Sequence, residues 1–192
     1  MCLKRCKRDI LMQKKKLLLH CCCAPCATSV VERLLKEDKY EITMYFSNSN
    51  ILPKEEYEKR KNEIIRLNKE IFTDTKLVID EYLPSEYFEA IKGLESLGEG
   101  SIRCDACIGY RLKKSAKYAS ENGFEVFATT LTVSPHKNAH KINEIGKALS
   151  AQYGVEYMAS DFKKQNGYLR SIELCREYNI YRQKYCGCGL DI

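Results

Sequence analysis

The period of apolar residues along this chain changes several times, and each change marks an element. LLLHCC at 17–22 does not alternate, so 16–22 reads as a strand covered on both faces. Over 28–36, Val30, Val31, Leu34 and Leu35 recur at helical spacing. YEITMYFS at 40–47 is β-branched and aromatic and predicts a second strand. Residues 55–70 predict a charged amphipathic helix with Tyr57, Ile64, Leu67 and Ile71 inward, and Pro53 suits its start. LVIDEY at 77–82 predicts a third strand, and 87–97 a helix broken by Gly98 and Gly100. A helix over 108–122 ends at Asn122-Gly123. A fourth strand over 124–132, a helix over 141–153, a fifth strand over 155–159 and a last helix over 168–178 complete the pattern. Alternating strands and helices predict an α/β fold with a mostly parallel, doubly wound sheet of the Rossmann/HUP-like kind. No repeat or linker interrupts it, so one domain is expected over 16–192, behind a basic N-terminal tail over 1–15.

Composition changes this picture at the cysteines. There are 11 of them in 192 residues. A secreted disulfide scaffold is a poor reading. The count is odd, the adjacent Cys21, Cys22 and Cys23 cannot pair with one another without strain, and 48–103 holds no cysteine. The leucines at 17–19 are too few for a signal peptide, and no run approaches the roughly 18 apolar residues of a membrane span. A cytosolic protein with reduced thiols is therefore expected, without membrane contact, which points to metal or redox roles. The net charge of +6 lies entirely within residues 1–16, so the remainder is neutral. This basic tail is either a solvated segment or a nucleic-acid-binding arm, with Cys2 and Cys6 incidental to it.

Beyond the tail the cysteines fall into four groups: Cys21-Cys22-Cys23-x-x-Cys26, Cys104-x-x-Cys107, Cys175 and Cys186-x-Cys188. The first lies where a strand runs into a helix, the junction at which open α/β sheets build their sites. C-x-x-C clasps on two loops can together complete a four-thiolate site, which holds zinc or an iron–sulfur cluster. Adjacent ligands such as Cys22 and Cys23 suit a larger cluster better than one tetrahedral ion. Cys104 and Cys107 begin a helix, where the dipole favours thiolates. Cys175, between apolar neighbours in a helix, reads as core. In YCGCG, Gly187 and Gly189 permit a tight, exposed turn whose thiol pair can form a labile disulfide.

Six blocks in this order resemble the QueH-type epoxyqueuosine reductase family: HCCCAPC at 20–26, YFSNSNILPKEEYEKR at 45–60, RCDACIGYRL at 103–112, TTLTVSPHKN at 129–138, DFKKQNGYLRS at 161–171 and YRQKYCGC at 181–188. The resemblance implies reduction of the epoxide of epoxyqueuosine at the tRNA wobble position, the last step of queuosine biosynthesis, without cobalamin. It implies Cys22, Cys23, Cys104 and Cys107 as ligands of a [4Fe-4S] cluster and Cys186 and Cys188 as a redox-active pair. Cys26 is the candidate ligand of an additional metal ion, and Cys21 has no counterpart. The partners implied are tRNA and an electron donor that the sequence does not name.

Within that frame His136 is a candidate proton donor or else a loop hydrogen-bonder, and His20 is a packed strand-end residue. Tyr181, Arg182 and Tyr185 could grip an extruded base or be ordinary surface residues, and Lys137, Lys141, Lys163, Lys164 and Arg170 could meet phosphates or form a solvated face. Two rivals stand against this reading. An ATP-dependent PP-loop-type tRNA modification enzyme shares the sheet, but CCCAPC stands where a phosphate cradle would. A zinc-held binding module would use the same thiols without chemistry.

Overall fold

The computed structural model describes residues 13–183 and 185–190. At its centre is strand β1 (Lys15–His20), where Leu17, Leu18 and Leu19 are all fully buried. A strand covered on both faces needs apolar side chains at odd and even positions alike. Each such burial contributes about 1.5–3 kcal/mol. On one side β1 pairs with β2 (Tyr40–Phe46), and β2 with β3 (Lys76–Ile79). On the other it pairs with β4 (Val126–Thr129), and β4 with β5 (Glu156–Tyr157). All four pairings are parallel, in the order β3-β2-β1-β4-β5. The expected α/β, doubly wound architecture is present.

The connecting helices are α1 (Ala24–Glu37), α2 (Lys54–Glu70), α3 (Pro84–Ala90), α4 (Ile102–Glu121), α5 (Ala139–Tyr153) and α6 (Gly167–Glu177). Leu17 and Leu19 point into one core layer with Val30, Val31 and Leu34 of α1, Ile64 and Leu67 of α2, and Cys175 of α6. Leu18 points the other way, against Ile108 and Leu112 of α4 and Ile142 and Leu149 of α5. The period-2 alternation of a strand thus divides one leucine run between two layers.

The boundaries depart from the sequence reading where side chains redirect the backbone. β1 ends at His20, short of the expected 22, because α1 starts at Ala24 with Pro25 in its first turn. β4 stops at Thr129, whose Oγ1 accepts from the Leu131 amide at 3.2 Å and turns the chain into a 3-10 segment, Thr130–Val133. The strand expected over 124–132 is therefore only the four residues of β4, and its last three positions are 3-10 helix. α4 begins six residues earlier than 108, capped by Ser101, whose Oγ accepts from the Arg103 amide. β3, β5 and α3 are also shorter than expected, and α3 lies earlier in the chain. Of the tail expected over 1–15, residues 1–12, including Cys2 and Cys6, lie outside the described residues.

β1 and β4 are neighbours, yet α1 leaves β1 toward one face while α5 follows β4 on the other. Their carboxyl ends therefore flank the crevice in which doubly wound sheets bind ligands.

Candidate active site and metal centre

The cysteine cluster lies at that crevice. His20 ends β1 fully buried, with Nδ1 2.9 Å from Thr129 Oγ1 on β4. Burial, with help from the charge of Arg111, holds its pKa down to about 3, so it is a neutral packing residue as expected. Cys21 turns inward: its thiol donates to the Leu19 carbonyl at 3.3 Å, and it belongs to the core. Asn48 fixes the next turn by donating Nδ2–H to the Cys21 carbonyl at 2.9 Å.

Beyond this anchor the sulfurs of Cys22, Cys23 and Cys26 gather within 4.8 Å of one another, with Cys22 and Cys23 3.7 Å apart. Cys23 is the N-cap of α1 and Cys26 stands in its first turn, so the helix N-terminus favours negative charge among them. Hydrogen bonds from Cys23 and Cys26, aided by Arg111 and the Thr130 hydroxyl, hold the Cys22 thiol well below the ordinary range. The hydrogen bonds that Cys23 and Cys26 donate to Cys22, with burial and the Cys22 charge, push Cys23 up to about 12 and raise Cys26. Gln183 donates Nε2–H to Cys23 Sγ at 3.0 Å.

A cavity of about 390 Å³ opens over these sulfurs. Its wall includes Arg111 from α4, His136 and Lys137 from the loop before α5, and Arg182, Gln183, Tyr185 and Cys186 from the C-terminal segment. Arg111 is only 4% exposed, its Nε has no partner among the described residues, and its Nη2 donates to Asn48 Oδ1. Among the described residues no carboxylate pairs with it. A buried guanidinium without a counter-ion is costly unless anionic sulfur supplies one.

Cys186 faces the same cavity, with Lys137 Nζ 3.7 Å from its sulfur. A hydrogen bond from Cys188, then the charges of Lys137 and Arg111, overcome burial and lower the Cys186 pKa to about 5. Burial opposes the charge on Lys137, but the Cys186 thiolate and the neighbouring thiols outweigh it, and its pKa is raised. The turn itself corrects the sequence reading. It is not exposed: Cys186 is half-buried, and Cys188 packs with Tyr87, Ile91 and Cys107. Gly187 has φ +110° and Gly189 φ +67°, left-handed values that favour glycine.

Cys104 and Cys107 occupy the first two turns of α4. Cys104 accepts from the Gly100 amide at 3.3 Å, and Cys107 is buried in the cluster that holds Cys188. Burial raises the Cys107 thiol pKa, and the group also senses Arg111, Cys186 and Lys137. These two sulfurs stand outside the tight group formed by Cys22, Cys23 and Cys26. A single tetrahedral ion with bonds of about 2.3 Å needs sulfurs about 3.8 Å apart. A multi-iron core spreads its thiolates more widely. The nine described cysteines carry no disulfide between them, and Cys175 is core, as expected.

Most of the basic residues named from the sequence stand in ion pairs. Lys137 points at a thiol. Arg170 lies in the groove between α1 and α6, paired with Glu32 at 2.8 Å and Glu173 at 3.1 Å. Lys141 pairs with Asp105, and Lys163 and Lys164 with Asp161. Tyr181 donates to the Glu56 carboxylate beneath Lys59, so its hydroxyl is engaged. His136 is exposed beside the cavity, its amide bonded to Ser134 Oγ. Arg60, Arg111 and Gln183 were not singled out from sequence. For the arginines the signal was available: Tyr57, Arg60, Ile64 and Leu67 share the buried face of α2, and Cys107, Ile108, Arg111 and Leu112 that of α4. A charge at a core position of an amphipathic helix needs a reason.

The family model described as epoxyqueuosine reductase QueH matches residues 17–190. This chain belongs to that family. Among its relatives, the epoxyqueuosine reductase QueH of Streptococcus pyogenes serotype M1 is 46% identical over 86% of this chain and 66% of its own length. The Staphylococcus epidermidis protein of that name is 43% identical over 86% of this chain and 71% of its own. The one from Thermotoga maritima is 39% identical over 75% and 76%. The chain thus spans about two thirds of the length of the streptococcal relative. Membership speaks against the PP-loop rival. Among the described residues no helix is long and apolar enough to cross a membrane.

Proposed function

We propose that this chain is a QueH-type oxidoreductase that reduces epoxyqueuosine to queuosine at the tRNA wobble position, without cobalamin. The observation that carries this reading is the meeting of thiols from the two ends of the sequence, Cys22, Cys23 and Cys26 with Cys186, around one cavity lined by Arg111 and Lys137. The relatives' printed name supplies the substrate. A cavity of about 390 Å³ suits a single extruded nucleoside base.

The donor set fits an iron–sulfur cofactor. Its groups are soft thiols, and the buried, carboxylate-free Arg111 complements an anionic sulfur centre. Cys22, Cys23, Cys104 and Cys107 would hold a [4Fe-4S] cluster, with Cys26 directed to an additional metal ion. When bound, the cluster supplies one-electron transfer. A second reading draws on the 3.7 Å between Cys22 and Cys23: that spacing suits one mononuclear ion held with Cys26, as in a zinc-held module.

The chain's own residues account for protons and orientation. Loss of the epoxide oxygen as water consumes two electrons and two protons. Oxidation of the Cys186 thiolate and the Cys188 thiol to a disulfide supplies both electrons and one of the protons, and the other is drawn from solvent through the rim of the cavity. Lys137 holds Cys186 as the thiolate, and His136 at the rim can protonate the departing oxygen. Arg182 and Tyr185 line the wall where a base would enter. A cytoplasmic location and an external electron donor accompany this reading.

Production of the chain in cells lacking their own epoxyqueuosine reductase tests it. Nucleosides from their tRNA should contain queuosine. Cys22→Ser and Cys107→Ser should abolish both iron content and conversion. Cys188→Ser should keep the iron and lose most of the conversion. Stoichiometric zinc in a colourless, inactive protein would favour the second reading instead.

A further inference from the structure

The Cys186-Gly187-Cys188 turn is held by a buried ion pair on the neighbouring helix. Arg60 of α2 is 5% exposed and pairs through Nε with Glu56 Oε1 at 2.7 Å. Tyr181 donates to both oxygens of Glu56, each at 3.2 Å. This leaves the two terminal nitrogens of the guanidinium for the turn. Nη2 donates to the Tyr185 carbonyl at 3.4 Å and Nη1 to the Cys186 carbonyl at 3.5 Å. The Tyr185 ring lies 5.3 Å from the Arg60 guanidinium carbon. A Cβ on Gly187 would stand 2.7 Å from Nη1, so glycine is what lets the arginine reach this far. A further tie closes the turn, from the Leu52 amide to the Gly187 carbonyl at 2.7 Å.

We infer that Arg60 is a positioning residue for the Cys186–Cys188 pair, and that its fork on the two carbonyls stabilises the dithiol form over the disulfide. The inference rests on the redox role proposed for that pair. Arg60 reaches backbone oxygens and acts on chemistry only through the shape of the turn. In the structure both residues are thiols, and this is the shape the fork holds. Closing the disulfide from the Cys186 thiolate and the Cys188 thiol forms one S–S bond, breaks one S–H bond and releases two electrons and one proton. A bridge across a single residue must twist the turn, and that twist pulls the carbonyls from the guanidinium. Stabilising the reduced form makes the pair a weaker reductant, so it resists idle oxidation between turnovers and is oxidised only when substrate drives the step.

The test is the dithiol–disulfide equilibrium of the full, iron-loaded protein against glutathione buffers. Thiols are trapped by alkylation, and the peptide carrying 186–188 is weighed. The wild-type pair should interconvert reversibly. Arg60→Gln should shift the equilibrium constant roughly tenfold toward the disulfide, the size expected from losing two carbonyl hydrogen bonds. Arg60→Lys should shift it in the same direction, because one ammonium cannot fork across both oxygens. Glu56→Gln, which keeps the volume but loosens the arginine, should give a smaller shift and serves if the arginine variants fail to fold. Constants within twofold of wild type in folded variants would overturn the inference while leaving the redox pair intact. A wild-type protein that never forms this disulfide would overturn the redox role itself, and the inference with it.

Discussion

Cys186 shows how one residue's chemistry is set by what stands beside it. Its thiol is stabilised as the anion by Cys188, Lys137 and Arg111, which bring its pKa to about 5. A group so lowered is protonated below that pH and a thiolate above it. Alkylation at Cys186 should therefore rise through about pH 5 and be level by neutrality, whereas an ordinary thiol is still rising near pH 8.5. Lys137→Met should move the midpoint upward, since it removes the ammonium 3.7 Å from the sulfur. Peptide-resolved alkylation rates across pH measure both. An unchanged midpoint in the variant would show that Lys137 does not hold the thiolate.

At the scale of elements, two interfaces set how firmly the site is mounted. α5 presses on the sheet through Gly146, where a Cβ would stand 2.3 Å from the Tyr157 ring. Gly146→Ala should cost about 1–3 kcal/mol by overpacking, against the gain in helix propensity usual for that change. At the other end Asn138 caps α5 by accepting from the amides of His140 and Lys141 at 3.0 and 3.3 Å. Asn138→Ala should cost about 1 kcal/mol and also loosen the loop that carries Lys137. Denaturant melts of the apo and iron-loaded proteins would measure both changes. Wild-type stability in Gly146→Ala would mean that α5 can shift away from β5.

For the whole molecule, the sequence showed what repeated patterns can show. The unbroken leucines at 17–19 announced a strand covered on both faces, and the helical spacing of Val30, Val31 and Leu34 a helix after it. The cysteine groups showed which side chains to watch. Less legible was anything decided by one side chain bending the backbone, as Thr129 does at the end of β4. The burial of the Gly187 turn was also hidden, because glycines that suggest exposure can instead admit an arginine. Lys137 read as one lysine among several, since spacing does not reveal that its ammonium meets Cys186. With Lys141, Lys163, Lys164 and Arg170 all in ion pairs, the described body has fewer open cations for a nucleic acid than their number suggested.

The most direct test is a reaction under anaerobic conditions between the purified, iron-reconstituted protein, a chemical reductant and tRNA that carries epoxyqueuosine. The tRNA is then digested and its nucleosides weighed. The account predicts queuosine, lighter than the substrate nucleoside by one oxygen atom, in catalytic excess over protein, and none from Cys22→Ser. Intact epoxyqueuosine after incubation with folded, iron-loaded protein would contradict it.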